Sequence, residues 1–168
     1  LWAERQTGLL LRADILAANG QMLESSAFSE LALGIRARGA AVLEPLRHLD
    51  GYRILRPAVL PTSLDNEGWA LNALPTGFRE VFCAKRSLDP TGGAAAPVVL
   101  QAVYSDGLTH VSLFVEPFDA KRHQAEVVDS IGATQTLVTR RDDQRITVMG
   151  DVPVETLKRF AGALERKR

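Results

Sequence analysis

Apolar side chains recur at every second position through Val111, Leu113 and Val115. This two-residue period is that of a strand with one buried face. It predicts a strand over Leu108–Glu116, stopped by Pro117. Ser105-Asp106-Gly107 is a tight-turn signal, and Val98–Tyr104 before it reads as the partner strand. Further upstream, Trp69–Leu71 predicts a short strand. Leu74–Phe78 predicts a turn, and Arg79–Arg86 another strand. Residues 88–97 are expected to form a flexible loop, and 118–130 a polar one. Ile131–Arg140 and Arg145–Met149 then form a second hairpin around Asp142-Asp143. From Pro153 the period changes. Val154, Leu157, Phe160, Ala161 and Leu164 fall on one stripe of a helix. Pro153 suits the first helical position, Glu155 the first turn, and Arg166, Lys167 and Arg168 the negative end of the helix dipole. Residues 67–168 are therefore expected to be an α+β unit, an antiparallel β-sheet with a C-terminal helix packed on one face.

Residues 1–33 read as strands. Trp2 starts a short one, Gln6-Thr7-Gly8 marks a turn, and Gly8–Ala17 is apolar with Arg12 and Asp14 alternating outward. Asn19-Gly20 predicts a type I′ hairpin, with a return strand from Gln21 to about Leu33. Three strands bury one face at most, so the other half of their core must lie elsewhere. Leu1-Trp2 itself reads as mid-strand, so the chain is expected to be a piece of something longer. Residues 34–66 carry Gly51, Pro57 and Pro61, and polar residues on to Asn66, and are expected to be a linker.

Composition narrows the function classes. Hydrophobic residues make up 46% and charged residues 24% of the 168 positions, values of an ordinary globular chain. Twenty basic residues balance twenty acidic ones, so there is no global bias toward nucleic acid. No apolar run approaches the ~18 residues of a membrane-spanning helix, and residues 1–20 lack the pattern of a signal peptide. Cys83 is the sole cysteine, in the apolar stretch Val81–Ala84, and is expected to be a small buried hydrophobe.

Catalytic chemistry is hard to assemble. His48, His110 and His123 have no second ligand at metal spacing, and His110 is expected to be structural. No phosphate-binding glycine loop or nucleophile elbow is present, and Gly92-Gly93 lacks a following Lys or Ser/Thr. Ser105-Asp106 and Asp142-Asp143 sit at hairpin tips, where such residues serve the turn. The expectation is a protein without catalytic residues, cofactor or metal. Binding chemistry is better represented. Arg140, Arg141 and Arg145 surround the second hairpin tip, and Lys121 and Arg122 follow the Val111 strand. Guanidinium groups fork onto carboxylates. These five residues are the candidate partner-binding set.

Gly8–Arg12 with its hairpin and Leu23-Glu24, Trp69 with Leu74–Phe78, Tyr104–Leu108 running into Val111–Glu116, Gly132-Ala133 and Ile146–Pro153 follow one another along the chain. In this order the strings resemble the C-terminal portion of the RseB/MucB family of sigma-E (AlgU-type) regulatory proteins. The resemblance implies a periplasmic negative regulator that binds the periplasmic domain of a membrane-bound anti-sigma factor (RseA/MucA type) and protects it from proteolysis. It also implies lipopolysaccharide or lipoprotein as the relieving ligand. Residues 1–33 would be the last strands of a LolA/LolB-like domain, 34–66 the linker and 67–168 the small C-terminal domain. The alternative is a periplasmic lipid or lipoprotein carrier without anti-sigma binding. The unpaired edge of residues 1–33 is expected to favour a homo-oligomer.

Overall fold

The structure, a computed structural model, describes residues 1–35, 39, 43–52, 59–87, 98–121, 123 and 126–167. It divides into two units, Leu1–Leu55 and Arg56–Arg168.

In the first unit, β1 (Trp2–Ala3), β2 (Leu10–Leu16) and β3 (Met22–Ala27) form an antiparallel sheet in the order β1-β2-β3. The Asn19-Gly20 hairpin is present, but its turn is not type I′. Only Gly20 has positive φ (+85°), and its N–H donates to the Ala17 carbonyl. Asn19 keeps a negative φ and accepts the Gln21 N–H on its own Oδ1 (3.0 Å). The register shift between Ile15 and Leu16 takes up the extra residue. β3 is also shorter than the expected return strand. No described residue of this unit is buried. Trp2, Leu16, Met22 and Phe28 are each at least half exposed. Order within the sheet comes from a polar cluster in which Asp14 accepts from Arg12 Nε (2.8 Å) and Ser25 Oγ (2.7 Å).

The second unit carries a seven-stranded antiparallel sheet. Its strands are β4 (Val59–Pro61), β6 (Arg79–Ser87), β7 (Val98–Ser105), β8 (His110–Pro117), β9 (Val127–Ile131), β10 (Thr134–Arg141) and β11 (Gln144–Gly150), in the order β4-β6-β7-β8-β11-β10-β9. β5 (Trp69–Leu71) pairs separately with β12 (Leu164–Arg166), which follows the helix α1 (Val154–Ala163) directly. One sheet face and α1 enclose the core. Val111, Leu113, Val115, Ile146 and Val148 meet Leu157, Phe160 and Leu164, all at most 4% exposed. Phe160 is the hub. Its ring stands edge-on to Phe78 (centroids 5.3 Å, 89°) and tilted against Tyr104 (5.4 Å). Burial, with Glu80 alongside, raises the Tyr104 phenol pKa, and its hydroxyl donates to Glu80 Oε2 (3.2 Å). Cys83 is buried in the same core, and desolvation pushes its thiol up to about 11.

Four further expectations need correction. Residues 118–130 are not all loop, because β9 occupies Val127–Ile131 and turns through Gly132 (φ +60°) into β10. The stretch 34–66 contains a 3-10 turn at Glu44–Arg47 and also β4. Pro61 is tolerated there because β4 is an edge strand, and no ladder bond is needed on its outer side. Pro153 is the N-cap of α1 (ψ 145°) rather than its first helical residue. The helix also ends at Ala163, so Arg166 and Lys167 do not serve its dipole. They sit on or beside β12, paired with Asp143 (3.1 Å) and Asp65 (2.7 Å). Arg168 and the expected loop at 88–97 lie outside the described residues.

Candidate partner-docking surface

The five candidate residues divide between two faces of the sheet. Neighbours along a strand point to opposite sides. Arg141 therefore faces α1, and its Nη2 donates to the Ala161 carbonyl (3.3 Å). That carbonyl is one of the unsatisfied groups of the last helical turn, so Arg141 caps the helix in place of the basic residues expected there. Arg141 and Lys158 also rim a groove of about 530 Å³ floored by Val128, Leu137, Ala161 and Gly162.

Arg140 points to the other face. Its Nε donates to the Asp142 carbonyl (2.7 Å) and its guanidinium stacks on the Phe118 ring (4.3 Å to the centroid). Directly across the ladder lies Arg145, and across from that Glu116, in the register Arg140↔Arg145↔Glu116. Arg145 Nη1 and Glu116 Oε1 form an ion pair at 2.7 Å, both largely shielded from solvent. Lys121 is exposed in the turn after Phe118, where its N–H is held by Asp119 Oδ1 (2.9 Å). Arg122 lies outside the described residues. The structure thus brings Arg140 and Arg145 together and sets Arg141 apart.

The same face carries a residue that local sequence reading missed. Val99 pairs with Arg86 on β6. Continuing the register Leu100↔Val115 by one residue sets Val99 beside Glu116. Arg86 thus falls in line with Arg145 and Arg140. Its Nη1 donates to Gln101 Oε1 (3.1 Å). The Nε atoms of Arg86 and Arg145 are buried, with no partner among the described residues. Only the strand register reveals this line, since 54 residues separate Arg86 from Arg140 in the chain.

The turn residues are committed to backbone geometry. Ser105 Oγ donates to the Thr109 carbonyl (2.7 Å) and accepts from Gly107 N–H (3.0 Å). Asp106 accepts from the Leu108 and Thr109 N–H groups (2.9 Å each), which hold its carboxyl below the usual range. His110 is exposed at the start of β8. Asp142 has positive φ (+54°), a conformation that costs any L-residue free energy. Asp142→Gly should keep the Arg140 bond, which uses only main-chain oxygen, and stabilise the fold by about 0.5 kcal/mol. A rise in the urea midpoint at unchanged slope would show it.

The sheet thus carries a cross-strand row of arginines, while its turn residues are taken up by backbone hydrogen bonds. The chain's sequence matches the model of the MucB/RseB C-terminal domain over residues 63–165, and that of the MucB/RseB N-terminal domain over residues 1–51. The chain belongs to the MucB/RseB family. It is 32% identical to the sigma factor AlgU regulatory protein MucB of Pseudomonas aeruginosa, over 96% of this chain and 49% of that protein. It is 25% identical to the sigma-E factor regulatory protein RseB of Salmonella typhimurium, over 98% of this chain and 49% of that protein. The relatives are thus regulators by name, and the chain spans about half their length. Among solved structures, MucB in complex with MucA(peri) superimposes with TM-score 0.70 at 25% identity, over 99% of this chain and 56% of the other. The complex of Pseudomonas aeruginosa MucA and MucB gives the same TM-score and identity, with 53% of that chain covered. The α+β expectation agrees with these neighbours.

Proposed function

We propose that this chain is part of a periplasmic regulator that acts by binding, without catalysis, on the periplasmic segment of a membrane-bound anti-sigma factor. Bound there, it protects the segment from proteolysis and keeps an envelope-stress sigma factor inactive. The observation that carries this reading is the likeness, over 99% of the chain, to MucB as solved with MucA(peri). Residues 67–168 supply the small C-terminal domain, and residues 1–33 belong to a LolA/LolB-like domain. That no described residue of the first unit is buried supports that division, because such a sheet needs further chain to cover it.

A second reading, a lipid or lipoprotein carrier, is favoured by one observation. The hairpin of β2 and β3 forms an apolar groove of about 330 Å³ lined by Leu10, Leu11, Ala13, Ala27 and Phe28, of the kind acyl chains occupy. In the regulator reading, lipopolysaccharide or a lipoprotein bound in the same groove would relieve the block, and pairing through the sheet edge would give a homo-oligomer.

Calorimetric titration with the periplasmic segment of the anti-sigma factor encoded beside this gene separates the two readings. Saturable binding that weakens several-fold between low and moderate salt supports the regulator. No binding by the folded chain, together with uptake of a fluorescent fatty acid, supports the carrier.

A further inference from the structure

We infer that the sheet face turned away from α1 docks an extended acidic segment, laid across the strands along the row Arg86, Arg145 and Arg140. This deepens the regulator reading, on which it rests, by naming the face and the chemistry it selects. The row is built by register rather than by chance proximity. Arg140 and Arg145 are direct cross-strand partners, a placement that costs free energy for like charges unless an anion lies nearby. Glu116 answers Arg145 from the next strand. Among the described residues it is the one acid in the row, so three guanidinium groups face a single carboxylate. The Nε atoms of Arg86 and Arg145 have no described partner although they are buried. Stacking on Phe118 and the Nε bond to the Asp142 carbonyl fix Arg140 in place. A guanidinium held in this way loses little freedom on binding.

Geometry sets the length of the segment. In the strand order, β6 is four steps from β10, so Arg86 and Arg140 lie about 19 Å apart at ~4.8 Å per strand. An extended peptide covers that distance in about six residues at ~3.3 Å each. The complement is therefore two groups of acidic residues about six positions apart. Carboxylates suit the row because guanidinium forks onto them in a plane. A membrane surface suits it less, since lipid attraction rests on four to eight uncompensated basic residues. The α1 face offers no such row, because Arg141 is committed to the helix carbonyl and Lys158 to Glu155 (2.7 Å).

The test uses the whole chain and the same periplasmic anti-sigma segment, followed by fluorescence anisotropy. Arg86→Gln and Arg140→Gln should each weaken binding about tenfold, and the double variant should show a shallower salt dependence. Lys158→Gln, on the opposite face, should change nothing. Arg86→Lys keeps charge and stem but loses the fork, and should cost about threefold. Thermal unfolding of each variant separates loss of docking from loss of fold. A segment with its acidic residues changed to Asn and Gln should bind weakly to every version. Binding of the native segment that ignores Arg86 and Arg140 overturns this inference and leaves the regulator reading standing. Absence of any binding by the wild-type chain overturns both. Capture of phosphatidylglycerol vesicles through the same arginines, in preference to the segment, reassigns the row to a membrane.

Discussion

Phe160→Ala is expected to lower the stability of the second unit by about 4 kcal/mol, within the range measured for buried aromatic truncations. The ring is fully buried and holds two other aromatic rings in place, Phe78 beside the turn before β6 and Tyr104 on β7. Its removal leaves a cavity that neither α1 nor the sheet closes easily, because each is tied by its own hydrogen bonds. A domain of this size has about 5–15 kcal/mol in total. The loss should therefore bring the thermal midpoint down by roughly 20 °C. Tyr104 adds a signature. Its hydroxyl bond to Glu80 depends on the ring's position, so the near-ultraviolet circular dichroism should collapse well below the wild-type midpoint. A drop of less than about 1 kcal/mol would mean that α1 is not anchored through this residue.

The second large effect comes from adding atoms rather than removing them. Gly150 ends β11 directly opposite Val111. A Cβ at this position would collide with the main-chain oxygen of His110 and come within 3.2 Å of the Val111 Cα. Both are backbone atoms at the centre of the sheet and have no rotamer by which to withdraw. Gly150 also has no positive φ, so the requirement is one of space and not of conformation. Gly150→Ala should cost about 3 kcal/mol by forcing β8 and β11 apart. The exchange of the Val111 and Gly150 amides with deuterium should accelerate more than that of β6. Gly107, also in a hairpin, is the contrast, since a Cβ there meets nothing within 4 Å and only its φ of +95° resists substitution.

Local pattern carried much of this fold, and its limits have physical causes. The β7–β8 hairpin was legible because Val111, Leu113 and Val115 alternate strictly and Ser105–Gly107 has turn chemistry of its own. The stripe of α1 was legible for the same reason at the other period. β12 was not, because Leu164 continues the helical spacing, while the contact that ends the helix is with β5, over ninety residues earlier. β9 was hidden because its exposed edge needs few apolar residues and its sequence runs on from a polar stretch. The basic set was half legible. Arg140, Arg141 and Arg145 are neighbours in sequence, yet the strand period sends Arg141 to the helix and the other two to the opposite face. Arg86 joins them through three intervening strands, information that no local window contains.

The two strands at the margins of the second unit have a mechanical consequence. β4 is held to β6 by the pairs Val59↔Arg86, Leu60↔Lys85 and Pro61↔Ala84. β12 is held to β5 by Leu164↔Leu71, Glu165↔Ala70 and Arg166↔Trp69. Tension applied through the chain at either side therefore meets a three-rung ladder first, while the eight-residue strands β7 and β8 stay out of the line of load. Of the two, β4 is the weaker, because its Val59 and Leu60 are exposed while Leu164 anchors β12 in the core, so β4 yields first and re-forms readily. That strand acts as a fuse that lets the N-terminal side of this unit be tugged without the inner sheet coming apart.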